Sequence, residues 1–274
     1  MGLRINTNTA SLNAQRNLTQ TTTNLQRSME RLSSGLRITR ASDDAAGLAI
    51  SERLRAEVRS LQQAQRNALD GISMLQVAEG AMNETSSILI RLRELAIQSA
   101  NGTLGAGERG ALDTEFQALL GEIDRVAAVT TFNGQPLLDG TTATVNFQVG
   151  ANATANDVIS VTGVDATAAG LAVGALAVDS DVNALAALSA LDTAIDSVST
   201  LRAGFGTAQN RLESTIRSIA VSVENTAAAE SRIRDVDVAA ETAILTRNQV
   251  MQQAGIAVLA QANVSSQSAL ALLQ

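Results

Sequence analysis

The sequence predicts a mainly α protein: a long antiparallel helical rod or coiled-coil bundle contributed by both termini, around a small β-hairpin region in the middle. Three observations carry this. Leu18, Leu25, Met29, Leu32 and Leu36 are spaced by sevens, fours and threes, the a/d seam of a packed helix. From Ile50 through Leu54, Val58, Leu61, Leu75 and Met82 to Leu95, apolar residues advance by threes and fours without an intervening Pro. Val145, Phe147 and Val149 alternate with Asn146 and Gln148, the period of a half-buried strand.

Taken in order, the start of the chain, Met1 to Asn6, turns polar within a few residues and has no apolar core of a secretory signal. Asn6 to Asn8 is a poor helix segment, and Ser11 is a candidate N-cap for the first helix. Ser33-Ser34-Gly35 breaks that helix, and Ser42 or Asp43 is placed to cap the next. This second helix is expected over residues 44–100, a rod of roughly 85 Å. Gly71 and Gly80 weaken it by about 1 kcal/mol each relative to Ala. Asn101-Gly102 ends it in a turn. Leu112, Phe116, Leu119, Ile123 and Val126 form a third helix, whose short connection predicts antiparallel packing on the second.

Phe132-Asn133-Gly134 and Asp139-Gly140 are turn signals. Val158, Ile159 and Val161 offer a partner strand to Val145–Val149. Residues 163–180 are rich in Ala and Gly and poorly periodic, which suggests an exposed tip or an abbreviated remnant of an outer domain. Helix resumes near Val182 with Leu191, Ile195, Val198, Phe205, Leu212 and Ile219. It weakens around Ala227 to Ala229, after which Ile244, Met251 and Val258 stand at heptad spacing in a last helix running to Leu273. The expected divisions are 1–43, 44–184, 185–229 and 230–274.

Composition narrows the chemistry. The chain has no His or Cys, so the usual transition-metal ligands and the commonest general base are missing. No catalytic residue, metal ligand or cofactor is expected. Residues 1–60 carry nine Arg against five acids, but the charges alternate and no aromatic accompanies them. An ion-paired helix face explains this better than a nucleic-acid site. No run of about 18 consecutive apolar residues marks a membrane span. Acid pairs such as Asp43-Asp44 and Asp235/Asp237 read as caps and linker anchors rather than cation sites. The terminal seams are too narrow to make a core alone, and a stripe left exposed is an assembly surface.

Several motifs resemble bacterial flagellin. They are the run from Leu32 to Ser51 (LSSGLRITRASDDAAGLAIS), Arg66 to Ser73 (RNALDGIS), Ala78 to Gly80, and Arg91 to Asn101 (RLRELAIQSAN). Glu122 to Arg125, Thr131 to Gly134, Ser231 to Asp237 and Glu241 to Leu259 match as well. The resemblance covers residues 1–140 and 185–274 in order. It implies a subunit that polymerises into the propeller filament, with residues 3–34 and 240–274 in an inner-tube domain and the long helices in a surrounding rod domain. It also implies export through the flagellar type III apparatus. The partners implied are other copies of the chain, hook–filament junction proteins, the filament cap and an export chaperone on the C-terminal helix. The family's host innate-immune receptor site maps onto Arg91, Leu95 and Glu115. A junction protein with the same terminal helices, and a membrane-active amphipathic protein, are the competing readings. Flagellins that carry a zinc protease need an H-E-x-x-H helix, which a chain without His lacks.

Overall fold

The computed structural model describes residues 7–271, with side-chain surroundings up to residue 264. The start of the chain through Asn6 and the end of the apolar run at Leu273 lie outside the described residues. The elements in order are α1 (Thr9–Ser34), α2 (Ala45–Ser99), α3 (Ala106–Val129), β1 (Thr131–Phe132), β2 (Gln135–Pro136), β3 (Thr144–Gln148), β4 (Val158–Thr162), α4 (Asp181–Arg234) and α5 (Val238–Ala271). They fall into two compact units. One comprises residues 1–57 and 225–274, and the other residues 58–224.

In the first unit α1 packs along α5. The N-cap of α1 is Asn8 rather than the expected Ser11: the Asn8 Oδ1 accepts from the Ser11 amide at 3.0 Å. An Asx carbonyl three residues upstream reaches that orphan amide, which puts Ser11 inside the first turn. Gly35, at φ 71°, ends the helix in the left-handed region that glycine tolerates. The next cap also shifts by one. Asp44 accepts from the Gly47 amide at 2.8 Å and starts α2. Asp43 instead closes the preceding turn, accepting from the Thr39 amide, the Thr39 hydroxyl and the Arg40 amide.

α4 does not weaken at Ala227 to Ala229, because Ala is the best helix former. It stops at Arg234, where Arg37 takes over its orphan carbonyls. The Arg37 amide donates to the Arg234 carbonyl at 2.6 Å, and its guanidinium donates to the Ile233 carbonyl at 2.7 Å. The Val236 amide returns the bond to the Gly35 carbonyl at 3.0 Å. Asp237 then caps α5 through the amides of Ala239 and Ala240.

The second unit is built on α2, α3 and α4. On α2 the buried positions Leu61, Ala64, Ala68, Leu75, Ala78, Met82, Leu89, Leu92 and Ala96 keep a coiled-coil register, with buried Gly71 and Thr85 filling it. On α4, Leu191, Val198, Phe205, Leu212 and Ile219 are all buried at sevenfold spacing. Phe116 and Ile123 of α3 complete the interior. Burying each such large side chain contributes about 1.5–3 kcal/mol. Arg93 of α2 meets Asp192 of α4, while Glu79 meets Gln209, so the two helices run antiparallel.

β1 and β2 form a two-residue hairpin in which Asn133 and Gly134 both have positive φ, at 50° and 79°. That is the turn Asn-Gly favours. β3 and β4 pair antiparallel with Phe147 opposite Ile159. Gly71 explains itself here: a Cβ on it would lie 3.0 Å from the Phe147 ring. Residues 163–180 are not the exposed tip their composition suggested. Val164, Ala166, Ala168, Leu171, Val173 and Val178 are buried. Carboxylates of α3 supply what an irregular strap lacks: Asp124 accepts from the Ala168 amide and Asp113 from the Val178 amide, each at 2.8 Å.

Candidate interaction surfaces

The α1–α5 contact mixes apolar and polar groups. Ser11, Ala14, Leu18, Thr21, Leu25, Ser28 and Leu32 form the shielded stripe of α1. The matching stripe of α5 is Glu241, Leu245, Asn248, Gln252, Gly255, Leu259 and Ala262, also in heptad register. Gly255 lets the helices close: a Cβ there would lie 3.3 Å from Leu18 Cδ1. Glu241, 5% exposed, sits 3.8 Å from Arg31. Glu241 Oε1 and Arg31 Nε are buried without a hydrogen bond, so this ion pair is imperfectly satisfied.

The stripe anticipated on α5 lies beside this seam and faces outward. Ile244, Met251 and Val258 are 40%, 56% and 58% exposed. Leu18, Leu25 and Leu32 are partly shielded, Met29 is exposed, and Leu36 stands beyond the helix end, bridged to Asp235. Sequence reading missed Val250, Ile256 and Val264 of α5 and Leu12 of α1, which are exposed as well. It also missed Glu241 as a buried residue, although Glu241, Asn248 and Gly255 share a heptad position with one another.

In the second unit Arg91 reaches across from α2 to α3. Its Nη2 donates to Glu115 Oε1 at 2.8 Å and its Nη1 to Glu94 Oε2 at 3.0 Å. The hydrogen bond to Glu115, and then that to Glu94, raise the Arg91 pKa above its ordinary value. Leu95 does not stand beside this pair on the surface. It is fully buried, in the same core as Phe116 and Leu92. Ile90 and Ile97, each 50% exposed, flank the pair on α2.

Among the described residues no group of three or more acids is arranged to hold a metal ion. A groove of about 280 Å³ between β4 and α4 is lined by Val161, Val164, Phe205, Ala208 and Arg211, a single cation without an acid or base opposite it. One window of α4 is long and apolar enough to cross a membrane by composition. Along α4, Leu191, Val198 and Phe205 face the core, while most of that window is not buried.

Comparison with known proteins agrees along the chain. A family model described as the bacterial flagellin N-terminal helical region matches residues 5–143. A second, the bacterial flagellin C-terminal helical region, matches residues 188–273. A flagellin of Halalkalibacterium halodurans is 49% identical over 270 residues, spanning 98% of this chain and 99% of its own. A flagellar filament 33 kDa core protein of Treponema phagedenis is 44% identical over 284 residues, spanning 98% and 99%. The crystal structure of a Bacillus cereus flagellin is 34% identical with a TM-score of 0.51, covering 60% of this chain and 94% of that one.

Proposed function

The chain belongs to the bacterial flagellin family, the structural subunits of the flagellar filament, and we propose that its contacts between copies are built from the outward stripes of α1 and α5. The observation that carries this is the exposure of Ile244, Met251 and Val258 beside a seam that α1 and α5 already fill. A two-helix pair cannot bury an apolar residue on every side, and a row of them at heptad spacing awaits further helices. The inner-tube assignment together with its linkers falls on residues 1–43 and 230–274, and the rod assignment on 44–184 and 185–229. Purified protein is expected to form long fibres under electron microscopy. A truncation lacking residues 1–34 that still forms normal filaments overturns the assignment.

The same reading supplies the remaining partners. Export through the flagellar type III route delivers the chain to an extracellular filament, with a chaperone holding α5 before export. Junction proteins and the filament cap meet the same terminal helices. The host innate-immune receptor reads the Arg91–Glu115 face. Support for this last role comes from an exposed, geometrically fixed ion pair bridging two helices, with Leu95 fully buried in the core of the same unit. A receptor reporter assay on Arg91→Ala tests it, and undiminished signalling excludes that face.

A further inference from the structure

The chain contains two Asn-Gly bonds, Asn101-Gly102 and Asn133-Gly134, and their surroundings differ in ways that decide their chemistry. We propose that Asn101 is a site of spontaneous, self-assisted deamidation, and that Asn133 is held back from it by its turn.

The reaction needs only water. The Gly102 backbone nitrogen loses its proton and bonds to Asn101 Cγ. The tetrahedral centre places negative charge on Oδ1, then collapses as Nδ2 takes a proton from water and the Cγ–Nδ2 bond breaks, releasing ammonia. Water opens the resulting five-membered imide to aspartate or isoaspartate. One water is consumed, one ammonia leaves, and nothing is oxidised or reduced.

Three features favour each stage at Asn101. The Arg109 guanidinium donates through Nη2 to the Asn101 carbonyl at 3.2 Å. This is the carbonyl of the peptide whose nitrogen must ionise, and a fixed cation there stabilises the deprotonated peptide. Arg109 is itself held in place, because its Nε donates to the Ser99 carbonyl at 3.0 Å. The Thr103 amide donates to Asn101 Oδ1 at 3.3 Å, the oxygen that becomes anionic in the tetrahedral centre. Access is open as well. Asn101, Gly102 and Thr103 are exposed, and nothing lies within 4 Å of where a Gly102 Cβ would stand.

Asn133 has the same neighbour in a different turn. It occupies φ 50° and Gly134 φ 79° between paired strands, with Phe132 opposite Gln135. Imide closure requires that backbone to leave the left-handed turn, which undoes the hairpin.

The product places a carboxylate just past the C-terminus of α2, where the helix dipole opposes it and Arg109 alone compensates. Each converted copy carries one more negative charge, and each isoaspartate lengthens the backbone of the α2–α3 connection by one bond. The site thus records the age of a subunit.

The test incubates the full chain, folded and in denaturant, at mildly alkaline pH. Peptide mapping by mass spectrometry follows the amide-to-acid mass increase at both sites, and isoaspartyl methyltransferase labels the isomerised product. In the folded chain Asn101 is expected to convert several-fold faster than Asn133, with the two rates converging in denaturant. Arg109→Gln and Gly102→Ala are each expected to slow Asn101, the latter without disturbing the fold. A folded rate ratio equal to the denatured one overturns the proposal, as does faster conversion of Asn133. An unchanged Asn101 rate in folded Arg109→Gln overturns the role of the guanidinium.

Discussion

Leu95→Ala separates packing from the receptor recognition proposed for the α2–α3 face. Leu95 is fully buried, so truncation removes its packing and leaves a cavity. Such changes cost about 2–5 kcal/mol, and a fully buried site in the core that also holds Leu92, Ala96 and Phe116 sets the expectation at about 3 kcal/mol. A domain of this size loses about 2–4 °C of melting temperature per kcal/mol, so the transition of the unit spanning residues 58–224 falls by roughly 6–12 °C. With a total stability of about 5–15 kcal/mol the variant still folds at room temperature. Circular dichroism melting of the monomer measures the shift, and a receptor reporter assay is run on the same samples. Arg91→Ala is the companion: its ion pairs are solvent-exposed and contribute little to stability. The expected pattern is lost recognition without a melting shift in Arg91→Ala, and lost recognition with one in Leu95→Ala. A Leu95→Ala protein that melts with the parent refutes the buried placement and everything argued from it.

Three further outcomes follow from the first unit. Replacing Ile244 and Met251 together by Asp leaves the monomer's helix content unchanged by circular dichroism and abolishes fibres under electron microscopy; fibres of normal length would falsify the outward-stripe assignment. Glu241→Gln leaves Arg31 without its counter-charge. Stripping one partner from a buried pair costs about 3–5 kcal/mol, and the partial exposure of Arg31 brings this to about 2 kcal/mol. Faster hydrogen exchange in α1 and α5 is the readout, and unchanged protection contradicts it. Burial of Asp43 disfavours its charge, but hydrogen bonds from the Thr39 hydroxyl and the amides of Arg40 and Thr39 outweigh that, holding its pKa below the ordinary carboxylate value. Its contribution is therefore complete above the unfolded pKa of about 3.9 and is lost as pH falls through the lower folded value. Melting between neutrality and strong acid should show the loss in the parent and not in Asp43→Asn.

Periodicity exposed the long helices because their buried residues are large and regularly spaced, as Leu191 through Ile219 show. It located the β3–β4 pair for the same reason, since Val145 and Phe147 alternate with polar neighbours. It misplaced two caps by a few residues, because several Asx and Ser side chains compete there and only geometry selects Asn8 and Asp44. The strap over residues 163–180 was illegible for a different reason. Its burial depends on Asp113 and Asp124, which sit on α3 and leave no mark in the strap's own sequence. The α5 surface was half legible: Ile244, Met251 and Val258 stood out as apolar, while the seam they flank mixes Leu245 and Leu259 with Glu241, Asn248, Gln252 and Gly255, which breaks the hydrophobic pattern.

The connection between β3 and β4 has a use in engineering. Residues 152–156 are exposed, and the contacts that close the loop lie at its ends: the Val149 amide on the Asp157 carbonyl, and Gln148 on the carbonyls of Gly150 and Asn152. Doubling the length of a loop costs only about 0.6 kcal/mol in closure entropy. A foreign peptide spliced between Ala153 and Thr154 leaves those end contacts intact. Every subunit of a polymer then carries it, making the loop a site for dense multivalent display.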